Sequence, residues 1–282
     1  MPKRRHGGSS HGRNGADQCI RGSNNSGWLD FGEAMFGVGN SRLAYRARVR
    51  DGCCYGYTEG SYVIFKVFKP EDIWSRVSSV SSVDVLMQQC VRRLADLFNS
   101  ECDPCKYGQP CPVICRDAAL GSFAGPTILR DHRGQRFRVE EDTTFLLERE
   151  IRGEFSKFSS NSGWCSGIDP ILEAFSHWSW VQSGEQELVC DLQGHRGNGS
   201  LPYLGNSYYY LLTDPAICSA SRQYGESDLG KQGIHAFFNH HTCNEWCERL
   251  DIEYERPQYA FSNLATKKST SYHTLVIDSD DD

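Results

Sequence analysis

The chain has 282 residues, 39% hydrophobic and 12% aromatic, which is enough for one large domain or two modest ones with real cores. Its net charge of -6 argues against a dedicated nucleic-acid binder, which would be basic. No apolar run approaches the roughly 20 residues of a membrane helix, and Met1-Pro2-Lys3-Arg4-Arg5 leads into no apolar stretch, so neither a span nor a secretory leader is expected.

The residues before Gly27 are rich in Gly, Ser, Asn and Arg and read as a disordered basic tail, 1–27. Lys3-Arg4-Arg5 is a weak nuclear-import signal in a chain otherwise expected to be cytoplasmic. Phe36-Gly37-Val38-Gly39-Asn40-Ser41-Arg42 gives a flexible turn, on its own an ordinary hairpin, with a strand after it through Tyr45 and Arg46. Tyr62 to Phe68 is β-branched and aromatic and reads as a buried strand ended by Pro70. Lys66 interrupts it, and a lysine among apolar neighbours either snorkels to the sheet edge or reaches an anion.

Val83, Leu86, Met87, Cys90, Val91, Leu94, Leu97 and Phe98 recur at three- and four-residue steps, an amphipathic helix packing its stripe on a sheet. A Pro- and Gly-rich stretch follows with Cys102, Cys105, Cys111 and Cys115, either a second zinc site or unpaired thiols in a variable loop. Thirteen cysteines without a secretory leader favour reduced thiols and metal ligands over disulfides. Thr143 to Leu147 is strand-like and runs into Glu148. Asp169-Pro170 opens a helix with a capping acid, and Ile171, Ala174, Phe175 and Trp178 form its buried stripe beside His177.

The segment Glu187–Cys247 concentrates the chemistry. An apolar run ends in Asp191-Leu192-Gln193-Gly194, and Leu212-Thr213-Asp214-Pro215 follows. Two acids and a glutamine at strand ends can hold a divalent metal through oxygen. The glycine loop Gly225–Gly233 has P-loop spacing up to Lys231, but Gln232 stands where magnesium needs Ser or Thr, and no strand feeds the loop. His241-Thr242-Cys243-Asn244-Glu245-Trp246-Cys247 can hold zinc only if the helix carrying Ile234, Phe237 and Phe238 breaks around Thr242. His177 is the leading fourth ligand, with His240 and His235 as rivals, and buried thiols with a core histidine are the plainer alternative. The last residues, Asp278 to Asp282, form an acidic tail.

Taken in order, these motifs resemble the alpha-kinases, an atypical protein-kinase family. The residues that carry the resemblance are Gly37-x-Gly39-x-x-Arg42, Tyr62-Val63-x-x-Lys66, Glu148-Arg149, Gly153-Glu154-Phe155-x-Lys157-Phe158, Ala174-Phe175-Ser176-His177-Trp178, Asp191-x-Gln193-Gly194, Thr213-Asp214-Pro215, Leu229-Gly230-x-x-Gly233-Ile234 and His241-x-Cys243-Asn244-x-x-Cys247. The resemblance implies an α+β, two-lobed kinase-like fold over 28–255 with a zinc-stapled C-terminal lobe, the lobes meeting near 147/148 and holding ATP between them. It implies an ATP- and magnesium-dependent serine/threonine kinase acting on a protein substrate, with no membrane or nucleic-acid partner. It assigns Lys66, Arg42, Gly37 and Gly39 to nucleotide phosphates and Glu148 to the hinge near adenine. Lys157, Asn161, Gly230 and Gly233 line the cleft; Asp191 is the catalytic acid, Gln193 and Asp214 hold magnesium, and His177, His241, Cys243 and Cys247 hold zinc.

Two departures stand out. A Gly-, Asn- and Tyr-rich insertion, His195–Tyr210, separates motifs that the family keeps close, and is expected to be a lengthened surface loop. Asp228 replaces the family's usual Asn and adds a negative charge near the cleft, where it would weaken phosphate contacts or alter substrate choice. Both favour the competing reading of a catalytically inactive binding module; a P-loop NTPase is the third.

Overall fold

A computed structural model describes residues 26–70, 80–102, 111–201, 205–252 and 256–257. The basic tail, the acidic end and Cys105 lie outside the described residues. The first strands are β1 (Trp28–Phe31), β2 (Gly37–Val38), β3 (Arg42–Arg50), β4 (Cys53–Cys54), β5 (Tyr57–Thr58) and β6 (Tyr62–Phe68). Helix α1 (Ser82–Glu101) precedes β7 (Val113–Cys115), β8 (Ala118–Ser122), β9 (Thr127–Arg130), β10 (Arg136–Val139) and β11 (Thr144–Arg149). Next come β12 (Ser156–Lys157), α2 (Pro170–Gln182), β13 (Glu187–Cys190), β14 (Gln193–Leu201), β15 (Gly205–Leu212) and β16 (Ala216–Ser219). Helices α3 (Lys231–His240) and α4 (Glu245–Arg249) close the order.

The chain divides into two compact units, one reaching Val80 and including Ala119–Arg149, the other made of Ser81–Ala118 and the residues from Glu150 onward. The first is built on a sheet ordered β1-β3-β6-β11-β8, with β2 on β3. Strand β3 alternates strictly: Leu43, Tyr45, Ala47 and Val49 are buried, while Arg42, Arg46, Arg48 and Arg50 take the other face. The buried side closes on an aromatic cluster, with Phe65 5.1 Å from Tyr45 and 5.9 Å from Phe123 between ring centres. Tyr45 donates its hydroxyl to the Arg130 carbonyl at 2.8 Å, and burial raises its pKa.

The second unit contains the sheet β12-β14-β15-β7, the β13–β16 pair and the four helices of the described residues. Helix α1 and strand β7 precede β8 in sequence but belong to this unit. Phe98 of α1 meets Phe175 and Trp178 of α2 edge-on at 5.1 and 5.4 Å. The buried face of α1 is Met87, Gln88, Val91, Ala95 and Phe98; Leu86 and Leu97, expected inside, are exposed. Helix α2 starts at Pro170 as the sequence predicts, but the Asp169 carboxylate does not cap it. It accepts instead from Tyr210 Oη at 2.6 Å and Ser166 Oγ at 3.3 Å. No helix among the described residues is long and apolar enough to cross a membrane.

The insertion is a paired hairpin, not a loose loop. Strands β14 and β15 hold register from Gly194↔Leu212 out to Leu201↔Gly205. A Cβ on Gly197 would lie 2.0 Å from the Tyr209 ring, so the glycine leaves the space that its cross-strand tyrosine fills. Tyrosine-rich sequence facing glycine-rich sequence makes an inserted segment zip into a sheet.

Candidate active site and metal centre

In the first unit, β2 turns into β3 through a Gly39 N–H bond to the Arg42 carbonyl at 2.8 Å, and Gly37 pairs with Ala44. The Arg42 guanidinium lies over the Phe68 ring, 5.3 Å from its centre. Lys66 is opposite Leu146 in the β6–β11 ladder, so its side chain shares a face with that of Glu148, two residues further on. The Lys66 ammonium reaches the Glu148 carboxylate in a buried ion pair, with side-chain exposures of 12% and 2%. Of the two fates open to a lysine in this strand, reaching an anion is the one observed. Glu148, assigned by resemblance to an adenine hinge, is the anion.

In the second unit, Asp191, Gln193 and Asp214 belong to one network organised by Lys157. Its ammonium lies 2.8 Å from Asp191 Oδ1 and donates to Gln193 Oε1 at 3.2 Å. Gln193 Nε2 donates to the Asp214 carbonyl at 3.1 Å. An ammonium can only donate and a carbonyl only accept, so these partners fix the Gln193 amide with its oxygen toward Lys157 and its NH₂ toward the Asp214 carbonyl. Pairing of β12 with β14 places Lys157 opposite Gln193. The Thr213 N–H bonds the Gln193 carbonyl at 3.1 Å, holding both ends of the long hairpin together. Asp191 and Asp214 both have left-handed backbones, with φ of 58° and 49°, a strained choice that recurs at functional positions. Gly194 has φ 146°, and a Cβ there would sit 1.9 Å from the Leu211 carbonyl oxygen, so the motif's glycine is a steric necessity. Gln193 and Asp214 offer the oxygen donors that suit magnesium.

The glycine loop is braced by the Asp228 carboxylate. Asp228 is 4% exposed and accepts from the Ser219 N–H at 2.8 Å, the Gly230 N–H at 2.8 Å, the Tyr224 N–H at 3.2 Å and the Ser219 hydroxyl. Four donors engage the carboxylate that the sequence presents as an added negative charge. Asn161 Nδ2 donates to the Ser227 carbonyl at 2.9 Å, tying β12's downstream segment to the loop. Gly230 caps α3, and a Cβ on Gly233 would meet Cys218 Sγ at 2.2 Å. The Asp228 side chain organises this loop.

The metal centre forms where α3 stops. Helix α3 ends at His240 and His241 is extended, with φ -69° and ψ 124°. Asn244 then caps α4 by accepting from the Trp246 N–H at 2.9 Å. One donor atom each from His177, His241, Cys243 and Cys247 lies within 4.8 Å of the others. Cys247 Sγ is 3.5 Å from His241 Nε2, and Cys243 Sγ is 3.8 Å from His177 Nδ1. Bond lengths near 2.3 Å to sulfur and 2.0–2.1 Å to nitrogen give a tetrahedral N–S edge of about 3.6 Å, so the set fits zinc. Of the rivals, His240 bonds the Ala236 carbonyl at 2.8 Å, and His235 also stands outside the donor group. Burial pushes the Cys247 thiol up to about 12, leaving it protonated unless a cation displaces the proton.

Cys102, Cys111 and Cys115 do not form a second such group among the described residues. They pack against the core of the second unit, and burial pushes Cys102 to about 12 and Cys111 to about 11. Sequence reasoning also missed Glu173, whose Oε2 lies 3.4 Å from His241 Nδ1. It stands one helical turn before His177, so the four-residue step was the available signal.

The chain mixes sheet and helix and carries both an acid–glutamine–acid set and a His₂Cys₂ group. Its structure resembles the alpha-kinase domain of myosin-II heavy chain kinase A in complex with AMP-PNP, with TM-score 0.64, 22% identity, and coverage of 82% of this chain and 89% of that one. An alpha kinase from Entamoeba histolytica gives TM-score 0.58 at 24% identity, covering 82% of this chain and 80% of that one. The chain belongs to the alpha-kinase family, whose profile matches residues 37–247. Alpha-protein kinase 1 of Dictyostelium discoideum is 30% identical over 233 residues, 82% of this chain and 14% of that protein. The alpha-protein kinase vwkA of the same organism is 39% identical over 116 residues, 40% of this chain and 17% of that protein. The chain thus matches less than a fifth of the length of these curated relatives.

Proposed function

We propose that the chain is an ATP-dependent protein kinase that transfers the γ-phosphate to a serine or threonine hydroxyl. The observation that carries this reading is the Lys157 ammonium joining Asp191 to Gln193 while the Gln193 amide reaches Asp214. Phosphoryl transfer needs alignment and charge neutralisation more than covalent chemistry. Asp191 orients the substrate hydroxyl and accepts its proton; Lys157 holds that carboxylate in place. Lys66 and Arg42 neutralise phosphate oxygens, with Glu148 fixing the Lys66 ammonium, and Gly37 and Gly39 let backbone N–H groups approach. Gln193 Oε1 and the Asp214 carboxylate hold magnesium, which when bound neutralises charge on the nucleotide. Asn161, Gly230 and Gly233 contribute the loop that borders the nucleotide.

The relatives' names and the nucleotide in the solved relative support this reading. The two features favouring an inactive module now weigh less: Asp228 is engaged by donors of Ser219, Tyr224 and Gly230, and the insertion is a hairpin with an intact base. Incubating the purified chain with labelled ATP, magnesium and helical or elongation-factor proteins tests the proposal. Label should enter protein and vanish in Asp191→Ala. Label that persists in that variant refutes the assignment; phosphate release alone, sensitive to Lys231→Ala, points to an NTPase.

A further inference from the structure

Two charged side chains reach the zinc ligands without belonging to the donor set. Glu173, on α2 with His177, directs Oε2 to His241 Nδ1 at 3.4 Å, with side-chain exposures of 17% and 0%. Arg256 donates from Nη2 to Cys243 Sγ at 3.7 Å and to the His241 carbonyl at 3.3 Å. A carboxylate can only accept, so His241 carries its proton on Nδ1. Its Nε2 then offers a bare lone pair on the side where Cys247 Sγ lies 3.5 Å away.

We propose that Glu173 and Arg256 are positioning residues of the zinc centre, Glu173 fixing the tautomer and ring plane of His241 and Arg256 hydrogen-bonding the Cys243 thiolate. A histidine ligand that gives its second N–H to a carboxylate is both better oriented and more basic toward the metal. The charges balance as well. Two thiolates neutralise a divalent ion, and the guanidinium offsets the added carboxylate. Arg256 also grips the extended residue between α3 and α4, where the backbone must bend to bring His241 and Cys243 to one ion. It lies beyond residue 247, where the family match ends. The inference is independent of phosphate transfer.

The test uses the full chain loaded with zinc, and reads affinity by competition with a chromogenic chelator. Cobalt-substituted protein supplies a second readout, because its absorption reports ligand geometry and sulfur donation. Glu173→Ala should weaken zinc binding about 10- to 100-fold, as losses of such outer partners do. Glu173→Gln, which keeps an accepting oxygen, should lose less. Arg256→Ala should weaken binding severalfold and shift the sulfur-to-cobalt band, and Arg256→Lys should restore much of both. Wild-type affinity and an unchanged cobalt spectrum in both alanine variants would overturn the proposal. Should Glu173→Ala fail to fold, Arg256→Ala decides by the same criterion. A purely structural role would lower the melting temperature and leave the cobalt band where it was.

Discussion

Replacing Asp228 with alanine removes one acceptor from four donors at once. The N–H groups of Ser219 and Gly230 are buried and that of Tyr224 is half-buried, and all three lose their partner. A buried donor left unsatisfied costs about 1–3 kcal/mol, and water entering the vacated space will serve one of the three, so the expected loss for the other two is about 2–6 kcal/mol. That is a large share of a typical stability of about 5–15 kcal/mol. Asp228→Asn keeps one oxygen but turns an amide NH₂ toward donors, and should cost about half as much. Urea unfolding followed by tryptophan emission measures this, since the buried Trp178 and Trp180 report on the unit that holds the loop. The expected signature is a lower midpoint at unchanged slope, with faster proteolysis between Gly225 and Gly233. An Asp228→Ala protein within about 0.5 kcal/mol of wild type would show that the carboxylate does not brace the loop.

Further outcomes follow from other sites. Lys157→Met should preserve the fold yet cut phosphorylation at least about 100-fold, because Asp191 loses the cation that orients it; undiminished turnover would remove Lys157 from the machinery. Gly194→Ala should yield little soluble protein, since its Cβ would lie 1.9 Å from the Leu211 carbonyl oxygen, and a wild-type melting temperature would contradict that geometry. Metal analysis should return one zinc per chain and Cys243→Ala should be insoluble; two zinc ions would restore the Cys102–Cys115 cluster as a binding site. Burial holds the Cys111 and Cys165 thiols near 11 and 12, so at pH 8 both should alkylate more slowly in folded than in urea-unfolded protein, with rates rising as pH increases. Equal rates in the two states would refute that burial.

Local features were legible in the sequence. The β-branched run Tyr62–Phe68 is strand β6, Asp169-Pro170 does begin a helix, and the break needed to bring His241 and Cys243 together is present. Each is governed by neighbours a few residues away. What escaped depends on distant partners. No periodicity reveals that α1 packs through Phe98 on Phe175, or that Asp169 serves Tyr210 in place of its helix. The bracing role of Asp228 could not be read from its neighbours, because its donors, Ser219, Tyr224 and Gly230, converge on it only after the chain folds back.

The β14–β15 hairpin begins at Gln193 and ends just before Asp214, and its first rung pairs Gly194 with Leu212. Everything beyond that rung is free to grow or shrink, provided both strands change by the same number of residues. A single unmatched residue would swap inward and outward faces along the whole ribbon. Length variation at this position is thus quantised: nature or an engineer can graft a longer arm at the far end, and the two oxygen-bearing side chains at its root will not register the difference.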